Sequence, residues 1–261
     1  MIHLDGIDGG KGFDFGKTAK DYAKYRDIYP EAFFQRLHSY GIGTAGQNVL
    51  DLGTGSGVLP RSMIQYGAAW TGADISEGQI AMARELSADA GIDYIVCPAD
   101  AIPAPDGTFD AVTACQCFWY FPEETAIPEI RRVLKPGGRF AILFMMHLAD
   151  QSPIVRKSEE LVLKYNPGWS GAGYKRAELP KRPWVGDGFK AAALYDYLEE
   201  VTFTREGWRG RMKSCRGIGA SLPPETADQY DQEHHAALCG MAGETFSIPH
   251  QFIFEIYDVI Q

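Results

Sequence analysis

From residue 47 to residue 147 the chain alternates short apolar runs with stretches of helical spacing. The runs are Asn48–Leu52, Ala69–Asp74, Asp93–Cys97, Phe109–Cys115 and Arg139–Met145. Between them, Ser56–Tyr66, Glu77–Ala90 and Glu123–Leu134 carry apolar residues at helix spacing. Strands alternating with helices predict βαβ units and a parallel sheet. Runs that are apolar throughout predict strands covered on both faces. Upstream, residues 15–40 place Tyr22, Tyr25, Tyr29, Phe33, Phe34 and Leu37 at helical spacing, and Pro30 divides them into two helical pieces. Residues 1–12 are rich in Gly and Asp and read as a loose arm. Beyond 147 the rhythm changes. Ser152-Pro153 supplies a cap and a first-turn proline for a helix to about Tyr165. Residues 166–190 read as a long loop or insert. Leu194–Phe203 and His250–Ile260 alternate like strands, with helices at roughly 204–217 and 223–240 between them.

Composition narrows the class. The chain has 261 residues, 45% hydrophobic and 23% charged, which are globular values that exclude disorder. A formal charge of −9 disfavours a partner held mainly by its phosphate backbone, so nucleic acid is not expected. The apolar run Phe140–Met146 is far short of the ~20 residues of a membrane helix. The first residues lack the pattern of a secretory signal. Five cysteines, scattered and odd in number, suit a reduced chain, and a cytoplasmic location is expected. Cys115 and Cys117 sit in an apolar run and read as buried thiols.

The chemistry is concentrated after the first run, in Val49-Leu50-Asp51-Leu52-Gly53-Thr54-Gly55-Ser56-Gly57. Alternating glycines let the backbone turn sharply and let a ligand approach it. The helix that follows offers unpaired N–H groups to an anionic ligand group. A dinucleotide fingerprint would need its third glycine where Val58 stands. Asp74 closes the next run and can accept both hydroxyls of a ribose. Asp100-Ala101 follows the third run and suits an adenine edge.

Asp51–Gly57 is followed by Ala73-Asp74-Ile75-Ser76, Asp100-Ala101-Ile102-Pro103, Phe109-Asp110-Ala111-Val112 and Arg132-Val133-Leu134-Lys135-Pro136-Gly137-Gly138. This ordered series resembles the class I S-adenosylmethionine-dependent methyltransferases, in their small-molecule, type 11-like branch. The resemblance implies an α/β fold with a Rossmann-like, doubly wound seven-stranded sheet, mostly parallel with an antiparallel last strand, plus a helical cap. It implies three regions: an N-terminal helical arm or lid at 1–46, a cofactor core at 47–147, and a cap with the last two strands at 148–261. It implies S-adenosyl-L-methionine as cofactor, S-adenosyl-L-homocysteine as product, and no metal. Gly53, Thr54, Gly55 and Gly57 would line the methionine moiety, and Asp51 would hold the loop and the cofactor ammonium. Asp74 would hold the ribose, Ile75 would pack on adenine, Asp100 and Ala101 would meet its edge, and Gln116 would face the methionine end. Tyr22, Arg26 and Tyr29, read as one helical face, resemble a lid in which Arg26 pairs with the methionine carboxylate.

The acceptor side is less marked. Relatives often carry A-Q-A-x-H-W-F after the fourth strand. Here the segment is Cys115-Gln116-Cys117-Phe118-Trp119-Tyr120-Phe121, with Trp119 in place of His. Trp119 and its neighbour Tyr120 are candidates for contact with the acceptor, or for a packed aromatic cluster. His147, after the fifth strand, is the candidate base for a hydroxyl or amine acceptor. His234-His235 with Cys239 lacks a fourth ligand at metal spacing, and His234 reads as core or pocket lining. On a helix, Arg205, Arg209, Lys213 and Arg216 would form a solvated basic stripe. Arg211, beside the apolar stripe of Trp208, Met212 and Cys215, could clamp an anionic acceptor such as a carboxylate. The expected activity is therefore methyl transfer to a small molecule, by a monomer or homodimer. The alternatives are a cofactor-binding module without catalysis and a methyltransferase acting on RNA or protein.

Overall fold

The computed structural model describes residues 2–260; Met1 and Gln261, the outer ends of the expected arm and cap, lie outside the described residues. The strands are β1 (Asn48–Leu52), β2 (Ala69–Asp74), β3 (Asp93–Val96), β4 (Phe109–Cys115), β5 (Leu134–His147), β6 (Phe189–Thr204) and β7 (Thr245–Val259). The helices are α1 (Ala19–Tyr25), α2 (Glu31–Ser39), α3 (Val58–Met63), α4 (Glu77–Leu86), α5 (Glu123–Val133), α6 (Pro153–Tyr165), α7 (Arg205–Lys213) and α8 (Pro224–Met241). The strands form one seven-stranded sheet in the order β3-β2-β1-β4-β5-β7-β6. β1 pairs in parallel with β2 and β4, β2 with β3, and β4 with β5, while one strand of the seven is antiparallel. This is the doubly wound architecture the alternating pattern predicts.

The chain divides into two compact units, Tyr29–Met145 with Glu178–Tyr197 and Phe252–Gln261, and Met1–Ile28 with Met146–Ala177 and Leu198–Gln251. The first holds β1 to β4 and α2 to α5. Its strands bury Val49, Leu50, Trp70, Ala111, Val112 and Phe140. Each large apolar side chain so buried contributes roughly 1.5–3 kcal/mol. Phe33 of α2 packs its ring 5.0 Å from Phe254. Arg182 and the buried Glu255 form a bidentate pair at 2.8 Å, and Tyr257 donates to the same carboxylate at 2.7 Å. Ser76 caps α4 by accepting from the Gln79 N–H, as a Ser before an apolar periodic run should.

The second unit is mainly helical, with α1, α6, α7 and α8. Ser152 caps α6 by accepting the Val155 N–H, and Pro153 opens the first turn. Its core includes Val155, Val162, Phe203, Trp208, Met212, Tyr230 and Leu238.

Several elements differ from the sequence reading for identifiable reasons. β5 begins at Leu134 rather than Arg139, because Lys135-Pro136-Gly137-Gly138 is taken up in a register shift opposite Phe109–Ala111. The Lys135 ammonium then reaches both Asp110 oxygens at 2.8 Å. α1 ends at Tyr25 with Arg26 as its cap, so Tyr29 is not on the face of Tyr22 and Arg26. Pro30 is the cause, since it disfavours helical backbone in the residue before it. α7 ends at Lys213, so Arg216 lies beyond the helix. The arm is not loose: Phe13 is buried and bridges Ile2, and Asp8 pairs with Arg216 at 2.8 Å.

Candidate functional site

β1 delivers Asp51 and Leu52 to a turn that runs through Gly53–Gly57 into α3. Gly53, Gly55 and Gly57 all have positive φ. A Cβ on Gly53 would stand 2.7 Å from the Cys117 side chain, so the turn is pressed against the segment after β4 and requires glycine there. Thr54 N–H donates to the Ala73 carbonyl at 2.9 Å, and Gly55 N–H donates to Asp74 Oδ2 at 2.9 Å. The loop is thereby tied to the end of β2. Asp74 Oδ1 accepts the Ser76 N–H at 2.8 Å. Burial raises the Asp74 carboxyl above its ordinary pKa, while these backbone donors pull it back.

Asp51 is buried, and its Oδ1 accepts the Thr113 hydroxyl at 2.7 Å. Burial pushes its carboxyl up to about 7, with the Thr113 and Thr54 hydroxyls acting against that. Ile75, next to Asp74, is 57% exposed, a bare apolar platform at the carboxyl end of β2. Asp100 accepts the Thr125 hydroxyl at 2.9 Å, and Ala101 beside it is exposed. Gln116 follows β4 with φ of 61°, an uncommon backbone for a non-glycine residue. Its N–H donates to Leu143 at 2.9 Å and its side-chain amide donates to Met145. Trp119 is 41% exposed and stacks on Phe144 at 4.6 Å, with Tyr120 edge-on to it at 5.7 Å. Cys115 and Cys117 are held protonated by burial.

Tyr22, Arg26, His147 and Arg211 fall in the helical unit. The Arg26 guanidinium lies 5.1 Å from the Tyr22 ring, and its Nε donates to Ser214 Oγ at 3.3 Å. The basic stripe expected to be solvated is ion-paired instead. Arg209 meets Asp231 bidentately at 2.6 Å, Arg205 meets Glu244 at 2.6 Å, and Lys213 meets Asp228 at 2.8 Å. The carboxylates come from α8 and the segment after it, which the linear sequence does not place opposite α7. Arg211 alone among these cations is buried, 5.8 Å from the Trp208 ring.

His147 closes β5. Its Nε2 is 3.1 Å from Glu159 Oε1, and its ring stands edge-on to Trp208 at 5.4 Å and His250 at 6.1 Å. Burial, then the charges of Arg211 and Arg26, push its imidazole down to about 3. Glu159 Oε2 accepts the Gly173 N–H at 2.8 Å, and burial pushes this carboxyl up to about 7. His234 is core, bonded to Ser158 Oγ at 2.8 Å and lowered by burial to about 4. Among the described residues, no group of three or more His, Cys, Asp or Glu could hold a metal.

The reading from sequence passed over Glu159 and His250. Glu159 had a usable signal: with Val155, Ser158 and Val162 it occupies the buried face of α6 at helical spacing. A carboxylate on such a face needs a partner or a function. His250 had none, because it sits mid-strand in an apolar run.

A methyltransferase-domain family model matches residues 50–142. A ubiquinone/menaquinone biosynthesis C-methyltransferase of Burkholderia cenocepacia (strain HI2424) is 30% identical over 198 residues, 71% of this chain and 74% of that protein. A methyltransferase of Schizosaccharomyces pombe is 32% identical over 224 residues, 85% of this chain and 86% of that protein. The crystal structure of YcgJ from Bacillus subtilis is alike in fold, with a TM-score of 0.55 at 18% identity, covering 89% of this chain and 100% of that one.

Proposed function

Because the chain belongs to the class I S-adenosylmethionine-dependent methyltransferases, we propose that it moves the methyl group to a small-molecule acceptor that carries an anionic group, by in-line displacement. S-adenosylmethionine, when bound, supplies a methyl group on a positively charged sulfur. The residues present fit that group. The turn carries three glycines at positive φ, so no side chain at those positions covers its backbone N–H groups. Asp51 supplies a buried carboxylate for an ammonium, and Ile75 offers an exposed apolar face for adenine. Asp74 keeps oxygen lone pairs beyond those used by Gly55 and Ser76 for the ribose hydroxyls. Gly53, Thr54, Gly55 and Gly57 line the methionine portion, Asp100 and Ala101 meet the adenine edge, and Gln116 faces the methionine end. In this reading residues 47–147 hold the cofactor and 148–261 supply the choice of acceptor.

The single observation behind an anionic acceptor is Arg211. Its guanidinium is buried, 5.8 Å from the Trp208 ring, and a planar guanidinium can hold a carboxylate or phosphate group bidentately. Isothermal titration with S-adenosylhomocysteine tests the cofactor half, and absence of binding at sub-millimolar concentration would sink it. A metabolite extract treated with methyl-labelled cofactor tests the other half. The label is expected in a small product whose acceptor is anionic; label only in RNA or protein, or only in neutral products, would overturn the reading.

A further inference from the structure

The sheet ends differently on its two sides. In the order β3-β2-β1-β4-β5-β7-β6 the outer strands are β3 and β6. β3 is four residues long and β6 sixteen. A short edge offers little to another chain, whereas a long one presents a row of backbone donors and acceptors that natural proteins cover, bend or charge. β6 contains neither Pro nor Gly, and its stretch Ala191-Ala192-Ala193-Leu194-Tyr195 carries no charge. Its portion Phe189–Tyr197 belongs to the same unit as β1 to β4. Among the described residues, no backbone hydrogen bond from a loop or helix reaches 190–197. Side chains alternate between the two faces of a strand. On the odd-numbered face, Tyr197 stacks on Phe252 of β7 at 4.9 Å. On the even-numbered face, Lys190, Ala192 and Leu194 are exposed, Leu194 by 46%, and Asp196 is half-buried.

We propose that β6 pairs antiparallel with β6 of a second copy of this chain, joining two seven-stranded sheets at this edge in a two-fold dimer. The two-fold axis stands perpendicular to the sheet and passes between two copies of one residue, so residues equally far from it face one another on the same side of the sheet. Placed at Ala193, it sets Lys190 of each copy opposite Asp196 of the other, and Ala192 opposite Leu194. Two ion pairs then flank an uncharged centre. Within its own chain Lys190 lies 3.9 Å from Asp258, at the limit of an ion pair, so its ammonium can turn to the second copy. Moving the axis breaks the match. At Leu194 it sets Lys190 opposite Leu198 and Asp196 opposite Ala192; at Ala192 it sets Lys190 opposite Leu194 and Asp196 opposite Gly188. At Tyr195 it sets Lys190 opposite Glu200 but presses the Asp196 carboxylate against Leu194. Charge therefore selects the register centred on Ala193. The strand complements itself, which makes a second copy the occupant, and the closed pair leaves no β6 edge open to further chains.

Sedimentation velocity of the full chain across the micromolar range tests this. The expected species is a dimer that dissociates on dilution. Asp196→Lys sets like charges opposite Lys190 at two places, and Lys190→Asp sets carboxylates opposite Asp196 at two places. Each should raise the dissociation constant about tenfold or more. The chain carrying both substitutions has opposite charges again and should return to within about threefold of the unaltered protein, as should Glu200→Lys. Hydrogen exchange of the unaltered protein decides the matter where a substituted chain fails to fold: amides within 190–196 should exchange faster on dilution through the dissociation range. A chain that is monomeric throughout the micromolar range overturns the proposal. So does a dimer that the combined substitution does not restore, or exchange at 190–196 that ignores dilution. A dimer that survives Asp196→Lys overturns it as well, and its loss in Glu200→Lys would then mark the register centred on Tyr195.

Discussion

With Asp51 at the cofactor ammonium, as proposed, cofactor affinity should depend on pH. The Asp51 carboxyl is buried, takes one hydroxyl bond from Thr113, and is raised to about 7 by loss of water. If the cofactor ammonium lies against it, the bound state favours the ionised carboxylate and its pKa falls on binding. The sign follows: below the unliganded value, the protein must lose a proton to bind, so affinity rises with pH. With the unliganded carboxyl at about 7, going from pH 8 to pH 6 should weaken binding roughly tenfold, about 1.4 kcal/mol. Proton release should be about half a proton per ligand when pH equals that pKa. The assay is calorimetry of S-adenosylhomocysteine at pH 6, 7 and 8, each in two buffers of different ionisation enthalpy. Asp51→Asn should flatten the pH dependence and weaken binding at pH 8 by roughly 1–3 kcal/mol, the range for a lost hydrogen bond to a charged group. Affinity that is flat from pH 6 to 8 in the unaltered protein would refute the reasoning. So would a slope that survives in Asp51→Asn.

Three further outcomes follow from the same geometry. Asp74→Ala should weaken S-adenosylhomocysteine binding by roughly 1–3 kcal/mol in titration, by removing a charged acceptor from the ribose. Gly53→Ala should lower thermal stability by roughly 1–3 kcal/mol, since a Cβ there combines positive φ with a 2.7 Å approach to Cys117; an unchanged melting temperature would contradict this. Trp119→Ala should raise KM for the acceptor several-fold while calorimetry of S-adenosylhomocysteine stays level, because the exposed ring rests on Phe144 rather than on the glycine turn. Equal loss of both would place Trp119 at the cofactor instead.

What could be read in advance depended on how local the cause was. Asn48–Leu52, Ala69–Asp74 and Phe109–Cys115 form strands over the expected residues, because strands covered on both faces advertise themselves as unbroken apolar runs. The α6 start was equally legible, since Ser152 and Pro153 act through the adjacent backbone. The start of β5 was not: Leu134 pairs with Phe109, and Lys135 reaches Asp110, 25 residues earlier in the chain. The glycine turn proposed for the cofactor was legible in its spacing, Gly53, Gly55 and Gly57 directly after β1. The His147–Glu159 pair was not, for β5 and α6 must both form before the two side chains meet. Nor does sequence reveal that Gln116 takes a positive φ.

The charges of residues 205–216 show the same distinction and lead to a sharper test. By sequence they form one basic stripe in a chain of net charge −9. In the fold, Arg205, Arg209, Lys213 and Arg216 each meet a carboxylate, so the stripe has little field left to attract a large polyanion. Arg211 differs from them in being buried, beside the Trp208 ring. Lys213→Gln, which breaks a pair with an exposed Asp228, should therefore change acceptor KM negligibly and stability by less than about 1 kcal/mol. Arg211→Met, which preserves the side chain's bulk, should weaken acceptor binding by roughly 2–5 kcal/mol, as when a buried charge pair loses one member. S-adenosylhomocysteine affinity should hold in both variants. Steady-state kinetics with the acceptor found by labelling decide the matter. If Lys213→Gln and Arg211→Met raise KM alike, the anion is drawn by a diffuse basic surface, and Arg211 is structural.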